Sequence, residues 1–209
     1  MINFFKKFIR YWNTLRYLKF SQILGRIKYK FRHTRADLTQ HNIKRESIHL
    51  WIRSAYRSQK MVSENTFNLL NEVHSISNSD WNNSELSKLW LYNLHYFDDL
   101  TALNSNERND WHHVLIDRWI KENKLGEGCG WEPYPTSLRI INWIKWDLNG
   151  NSLKNNWLHS LEIQTRFLSQ NIENHLMGNH LFANAKALIF AGLFFDGEEA
   201  KRWYVKGCN

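Results

Sequence analysis

Within residues 171–190, NIENHLMGNHLFANAKALIF, the polar side chains of Asn174, His175, Asn179, His180 and Asn184 sit among Leu176, Leu181, Phe182, Ala183, Ala187, Leu188 and Ile189. Enclosing an amide or an imidazole that finds no partner costs roughly 1–3 kcal/mol, so such residues on an apolar element need a task. Amide NH₂ and imidazole N–H groups are donors for an anion. A helix opening at Gly178 would add its own unpaired N–H groups and its dipole at the same place. Asn174 and His175 would equally serve by satisfying neighbouring helix ends. A metal pair fits poorly: His175 and His180 are five residues apart, which does not align them as H-E-x-x-H aligns its ligands. No metal and no other cofactor is expected.

Two further stretches carry more chemistry than packing requires. In LYNLHYFDDL (91–100), Tyr92, Asn93, His95, Tyr96 and Asp98 crowd one expected helix. They either line a cleft or form a buried hydrogen-bond network that braces it. In GWEPYPTSLRIINW (130–143), Trp131, Glu132, Tyr134 and Arg139 lead from a Pro-stiffened loop into a helix. There they form part of a subsite wall, or Arg139 serves as a helix salt-bridge partner. A glycosidase would need a positioned carboxylate pair, for which Asp98 with Glu132 or Glu173 is the best offer. The adjacent His112 and His113 point different ways on a helix and read as surface residues.

The elements that must position these groups read as helix after helix. Residues 84–103 start at Ser84 as a capping residue and space Leu86, Leu89, Trp90, Leu94 and Phe97 along one helix. Residues 108–124 follow, with Trp111, Leu115 and Trp119 four apart. Gly126, Gly128 and Gly130 break the chain, Pro133 and Pro135 lead into a helix that ends near Gly150, and further helices cover 153–169 and 178–195. The one tract that alternates as a strand does is SIHLWI at 47–52. The expected fold class is all-α. Eleven Trp, eight Tyr and twelve Phe in 209 residues are an excess that belongs mostly in the core, with the remainder suited to stacking on sugar faces.

The net charge of +8 is concentrated at one end: residues 1–35 hold ten Lys or Arg and no Asp or Glu. Residues 1–40 therefore form a basic amphipathic helical segment, with Phe4, Phe5, Phe8, Trp12, Leu15 and Leu18 at near-helical spacing, and residues 41–209 form the main domain. A helix docked on the domain with a solvated basic face is the first reading; contact with a membrane surface or a polyanion is the second. Lys and Arg interrupt the segment too often for a signal peptide, and no stretch approaches the ~20 apolar residues of a membrane span. A cytoplasmic place, or one peripheral to the membrane, is expected. No nucleic-acid fold motif accompanies the basic arm, so nucleic acid is not an expected partner. Cys129 and Cys208 lie in no paired pattern and read as free thiols.

In order and interval, YNLHYFD, EPYPTSLRIINWIKW and NHLMGNHLFANAKALIFAGLFF resemble the N-terminal domain of the heparinase II/III-like polysaccharide lyases, over about Trp81 to Trp203. The resemblance implies an α/α toroid of antiparallel helix hairpins, followed in the family by a β-sandwich region. It implies β-elimination of a uronic-acid polysaccharide, heparin-like or alginate-like, with Asn179 and His180 engaging the uronate carboxylate. Removing the C5 proton of a uronate makes a carbanion beside that carboxylate, whose growing charge must be held by donors. The tyrosine and sandwich histidine that the family uses to move protons have no assigned counterparts here. An incomplete toroid, catalytically incompetent by itself and prone to self-association through an open apolar flank, is therefore expected. The remaining classes are a non-catalytic polyanion or membrane-surface binding module and a toroid glycoside hydrolase.

Overall fold

The computed structural model describes residues 9–13, 16–17, 20, 22, 24–25, 27, 37–40, 43–46, 51–77, 80–176 and 178–209. Over these residues the chain is largely helical. The main helices are α1 (Lys88–Tyr96), α2 (Asn109–Glu122), α3 (Pro133–Leu148), α4 (Asn155–Gln170), α5 (Gly178–Phe194) and α6 (Glu198–Cys208). Short 3₁₀ turns cover Asp80–Asn82, Asp98–Thr101, Ser105–Arg108 and Cys129–Trp131.

Helix α3 is the centre. Pro133 occupies its first turn, where a missing N–H costs nothing, and the helix then buries residues on every side: Ile140, Ile141, Trp143, Ile144 and Trp146 among the apolar ones. Helices α1, α4 and α5 pack around it. The expected aromatic core is present. The Trp119 ring lies 6.0 Å from Trp143 and 5.4 Å from Trp131, and Trp146 lies 5.9 Å from Trp157.

Two expectations about these elements need correction. The helix expected over 84–103 is shorter, because Ser87 rather than Ser84 caps it, accepting from the Trp90 amide at 3.1 Å. It ends where Phe97 turns left-handed (φ 60°). This reversal brings Asp99 to the amides of Lys60 and Met61, at 2.5 and 2.9 Å. Second, an antiparallel sheet of β2 (Met61–Ser63), β3 (Thr66–Leu69) and β4 (Glu72–Ser75) stands where no strand was expected. A two-residue turn with both φ angles positive, Leu70 at 56° and Asn71 at 64°, joins β3 to β4, and Phe67 and Leu69 point into the core. Beyond the Asp196–Gly197 turn, where the expected helix ends, α6 packs on α5 and buries Trp203. The approach is close: a Cβ on Gly192 would lie 2.6 Å from the Tyr204 nitrogen.

Residues 47–50 of the expected strand lie outside the described residues, and Trp51 and Ile52 are not in a strand. A short β1 (Ile43–Lys44) instead pairs antiparallel with β5 (Phe195–Asp196). Phe4, Phe5, Phe8, Leu15 and Leu18 of the N-terminal segment are also outside the described residues. Residues 9–13 are helical, and their apolar side chains are exposed rather than docked. Among the described residues no helix is long and apolar enough to cross a membrane.

Asp99 ties the sheet to the helices. Besides the two amides it accepts from Arg108 Nε at 2.9 Å and pairs with His112 Nε2 at 2.9 Å, so His112 is a core residue and not the surface residue expected. Burial alone would raise the Asp99 pKa, but the His112, Arg108 and amide bonds outweigh it and hold it down to about 2. A depressed carboxyl stabilises the fold above its unfolded value near 3.8, by about 2 kcal/mol, and that stability is lost as pH falls towards about 2. Asp99→Asn should therefore lower the urea-unfolding free energy by about 3 kcal/mol at pH 7. The gap to the unaltered protein should narrow between about pH 4 and pH 2. A gap that stays constant across that range would refute the assignment of its origin to the Asp99 charge.

Candidate active site

His180 lies in the first turn of α5, half-buried, with its Nδ1 3.1 Å from Glu173 Oε2. Glu173 is held in place by its own backbone: its amide donates to Asn184 Oδ1 at 2.9 Å, and Asn184 Nδ2 donates to Ser137 Oγ at 3.0 Å. Ser137 in turn donates to the Pro133 carbonyl at 2.8 Å. A chain of bonds thus runs from α3 to the loop before α5 and fixes the carboxylate behind the imidazole. Burial raises the Glu173 pKa, against the bond from His180. With Nδ1 donating to the Glu173 carboxylate, Nε2 is the nitrogen left for a ligand, as acceptor when the ring is neutral and as donor when it is cationic.

The Tyr134 ring lies on the imidazole, with centroids 4.5 Å apart at 37°, and Tyr96 meets Tyr134 edge-on at 6.0 Å. Beside them Tyr92 donates its hydroxyl to Glu132 Oε2, and Lys88 Nζ pairs with Glu132 Oε1 at 2.8 Å. Lys88 also sits 5.2 Å over the Tyr92 ring. Burial and then the Glu132 bond push the Tyr92 phenol up, and burial with the neighbouring Tyr134 and Asp98 does the same to Tyr96. Neither is ionised near neutral pH. The arrangement offers a positioned imidazole backed by a carboxylate, a neutral phenol and one ammonium group. That set can pass a proton, and Nε2 of a cationic His180 can donate to an anion, the Lys88 charge being already met by Glu132.

The structure therefore gathers Tyr92, Tyr96, Glu132, Tyr134 and His180 from the expected residues, and places the others elsewhere. Asn179 is exposed beside His180. Asn174 is exposed and lines a separate cavity of about 350 Å³ with Ile172, Gly178, Phe182 and Lys206. His175 is buried under the N-terminal segment at Gly25. Asn93 bonds back to the Leu89 carbonyl at 2.9 Å. Asp98 is taken up by Arg57 at 2.6 Å and Asn142 at 2.8 Å. Trp131 is core, stacked near Trp119.

His95 and Arg139 belong to the interior. His95 accepts from Trp119 Nε1 at 3.0 Å and faces the Trp81 carbonyl at 3.0 Å, and burial pushes its pKa down to about 3. Arg139 has no exposed surface; its guanidinium reaches Gln164 at 2.8 Å and the Gly130 carbonyl at 2.9 Å, and lies 3.8 Å over the Trp119 ring. Lys88, Ser137 and Asn184 are parts of the site that the sequence did not single out for a role in it. Asn184 was legible as a polar residue on an apolar helix, but its partner on α3 was not. Among the described residues there is no group of three His, Cys, Asp or Glu placed to hold a metal ion.

Comparison of the chain with family models, with curated proteins and with solved structures gives no match.

The division between core and site is open to measurement. Arg139→Lys should cost about 3 kcal/mol of stability, because an ammonium cannot reach the same spread of acceptors or lie flat on Trp119. His180→Ala should cost less than about 1 kcal/mol, as expected of a half-exposed side chain. Equal losses in chemical denaturation would mean that His180 is also a structural residue.

Proposed function

We propose that the His180 face engages the carboxylate of a uronic-acid sugar and is the substrate-holding part of a polysaccharide lyase that acts by β-elimination. On this reading the helices α1 to α6 belong to an α/α toroid. The observation that carries the proposal is the Glu173–His180–Tyr134 group at the opening of α5. A buried carboxylate pairs with Nδ1 of the imidazole, an aromatic face flanks it, and the second ring nitrogen is left for a ligand. Asn179, exposed and next in the chain to His180, is the candidate amide donor, and Lys88 sets a cation against the Glu132 charge. Donors placed where a uronate would gather enolate charge are what such an elimination needs.

Holding the carboxylate is one part of the reaction; a base must also take the C5 proton and an acid must protonate the leaving oxygen, each worth ~10²–10⁴ in rate. Tyr92 and Tyr96 are kept in their phenol form, and Tyr92 spends its proton on Glu132. The 209-residue chain is therefore expected to bind a uronate oligomer with little turnover. Calorimetry should show a hexuronate binding more tightly than a neutral hexasaccharide, with His180→Ala weakening it about tenfold, the loss of about 1.4 kcal/mol. Equal affinity for the neutral sugar, or an unaffected His180→Ala protein, would overturn the proposal. Near-ultraviolet absorbance of an unsaturated uronide, if it appears and depends on His180, would show that the chain carries its own base. New reducing ends without that absorbance would replace elimination by hydrolysis.

A further inference from the structure

The N-terminal arm joins two features. Its composition is one-sided, with ten Lys or Arg and no Asp or Glu in residues 1–35. Its described apolar residues are in solvent: Ile9 is 50% exposed, Trp12 62%, Tyr17 75% and Phe20 74%. Residues 9–13 are helical, and the Arg16 amide bonds to the Trp12 carbonyl at 3.1 Å. A helical turn that exposes Ile9, Tyr11 and Trp12 beside Arg10, with Tyr17 and Phe20 exposed further along, has the composition of a segment lying in the headgroup region of a bilayer. The far end of the arm is held. A Cβ on Gly25 would stand 2.7 Å from the His175 Cβ, so the backbone there is pressed on the loop five residues before His180.

We infer that Ile9, Tyr11, Trp12, Tyr17 and Phe20 dock on an anionic lipid surface, while the Gly25 end of the arm fastens to the loop that carries His175. The aromatic and aliphatic side chains enter the interface and the cations face the lipid phosphates. Lipid is favoured over nucleic acid because the exposed rings and aliphatic chains would gain nothing from a phosphate backbone alone, whereas burial of such groups adds to the electrostatic attraction at a bilayer. The inference is independent of what the His180 site binds. It places that site within one loop of a membrane face.

Sedimentation of the full 209-residue protein with vesicles tests it. Vesicles of phosphatidylcholine with one-third phosphatidylglycerol should retain the protein, and pure phosphatidylcholine should not. Trp12→Ala/Phe20→Ala should reduce the anionic-vesicle partition at least about tenfold, from the apolar area that no longer enters the interface. Circular dichroism should be unchanged, since both side chains are exposed; if the double variant loses helix, Tyr17→Ser alone should still lower the partition several-fold. Full retention by both aromatic variants, with a DNA duplex displacing the protein from the vesicles, would show a general polyanion contact and overturn the inference. Absence of binding to the anionic vesicles would overturn it as well.

Discussion

The whole arrangement depends on a cation that has been taken completely out of water. Arg139 lies in the middle of α3 with no carboxylate among its hydrogen-bond partners. Its positive charge is met instead by the carbonyls of His95 and Gly130, the side-chain oxygens of Gln164 and Thr136, and the face of Trp119. A guanidinium can do this because it is planar and spreads five N–H groups over a fork. Each acceptor belongs to a different part of the fold: the end of α1, the 3₁₀ turn before α3, α3 itself, α4, and α2 through Trp119. Neutrality of the neighbouring His95 follows from the same burial, since a second cation beside Arg139 is disfavoured. The imidazole can then accept from Trp119 and donate to the Trp81 carbonyl, which pins α1 to α2.

That pinning reaches the site by short steps. α3 begins at Pro133 two residues after the buried Trp131, so the orientation of its first turn sets Tyr134 and Ser137 together. Ser137 faces Asn184 on α5, and Asn184 holds the backbone of Glu173. The position of the His180 ring is thus the end of a chain that starts in the core. The exposed side is built more loosely: Lys88 and Glu132 are both substantially in water, and an ion pair of that kind contributes little to stability. The back wall is therefore rigid and the front adjustable.

Much of the helical frame is legible in the sequence because its cause is local. The spacing of Trp111, Leu115 and Trp119 marks α2, Pro133 marks the start of α3, and the Asp196–Gly197 turn marks the end of α5. The sheet from Met61 to Ser75 escapes notice because its strands are only three or four residues long and its turn uses Leu70 in a left-handed conformation that leucine rarely adopts. Ser84 and Ser87 carry the same capping chemistry, so the sequence does not distinguish them as the start of α1. Among site residues, a polar side chain on an apolar helix correctly signals a partner in the interior. It does not say whether that partner is a ligand or another part of the chain. His95, His112 and Arg139 turned inwards, and only tertiary contacts distinguish them from His180.

Arg166 has a consequence of a different kind. It binds Glu162 on its own helix at 2.8 Å, Glu199 at the start of α6 through two bonds of 2.7 Å, and the carbonyls of Asp37 and Thr39 at 2.8 and 3.0 Å. Close by, Arg45 Nη2 reaches the Phe195 carbonyl, a residue 150 positions later in the chain. During synthesis, then, residues 37–45 emerge long before the groups that complete their bonding exist. At a translation rate of roughly 5–20 residues per second, they wait on the order of ten seconds or more for residues 195–199. The Ile43–Lys44 strand can be fastened only when Phe195 and Asp196 have been made, and until then its amides and its edge remain open to water, to a chaperone or to another chain.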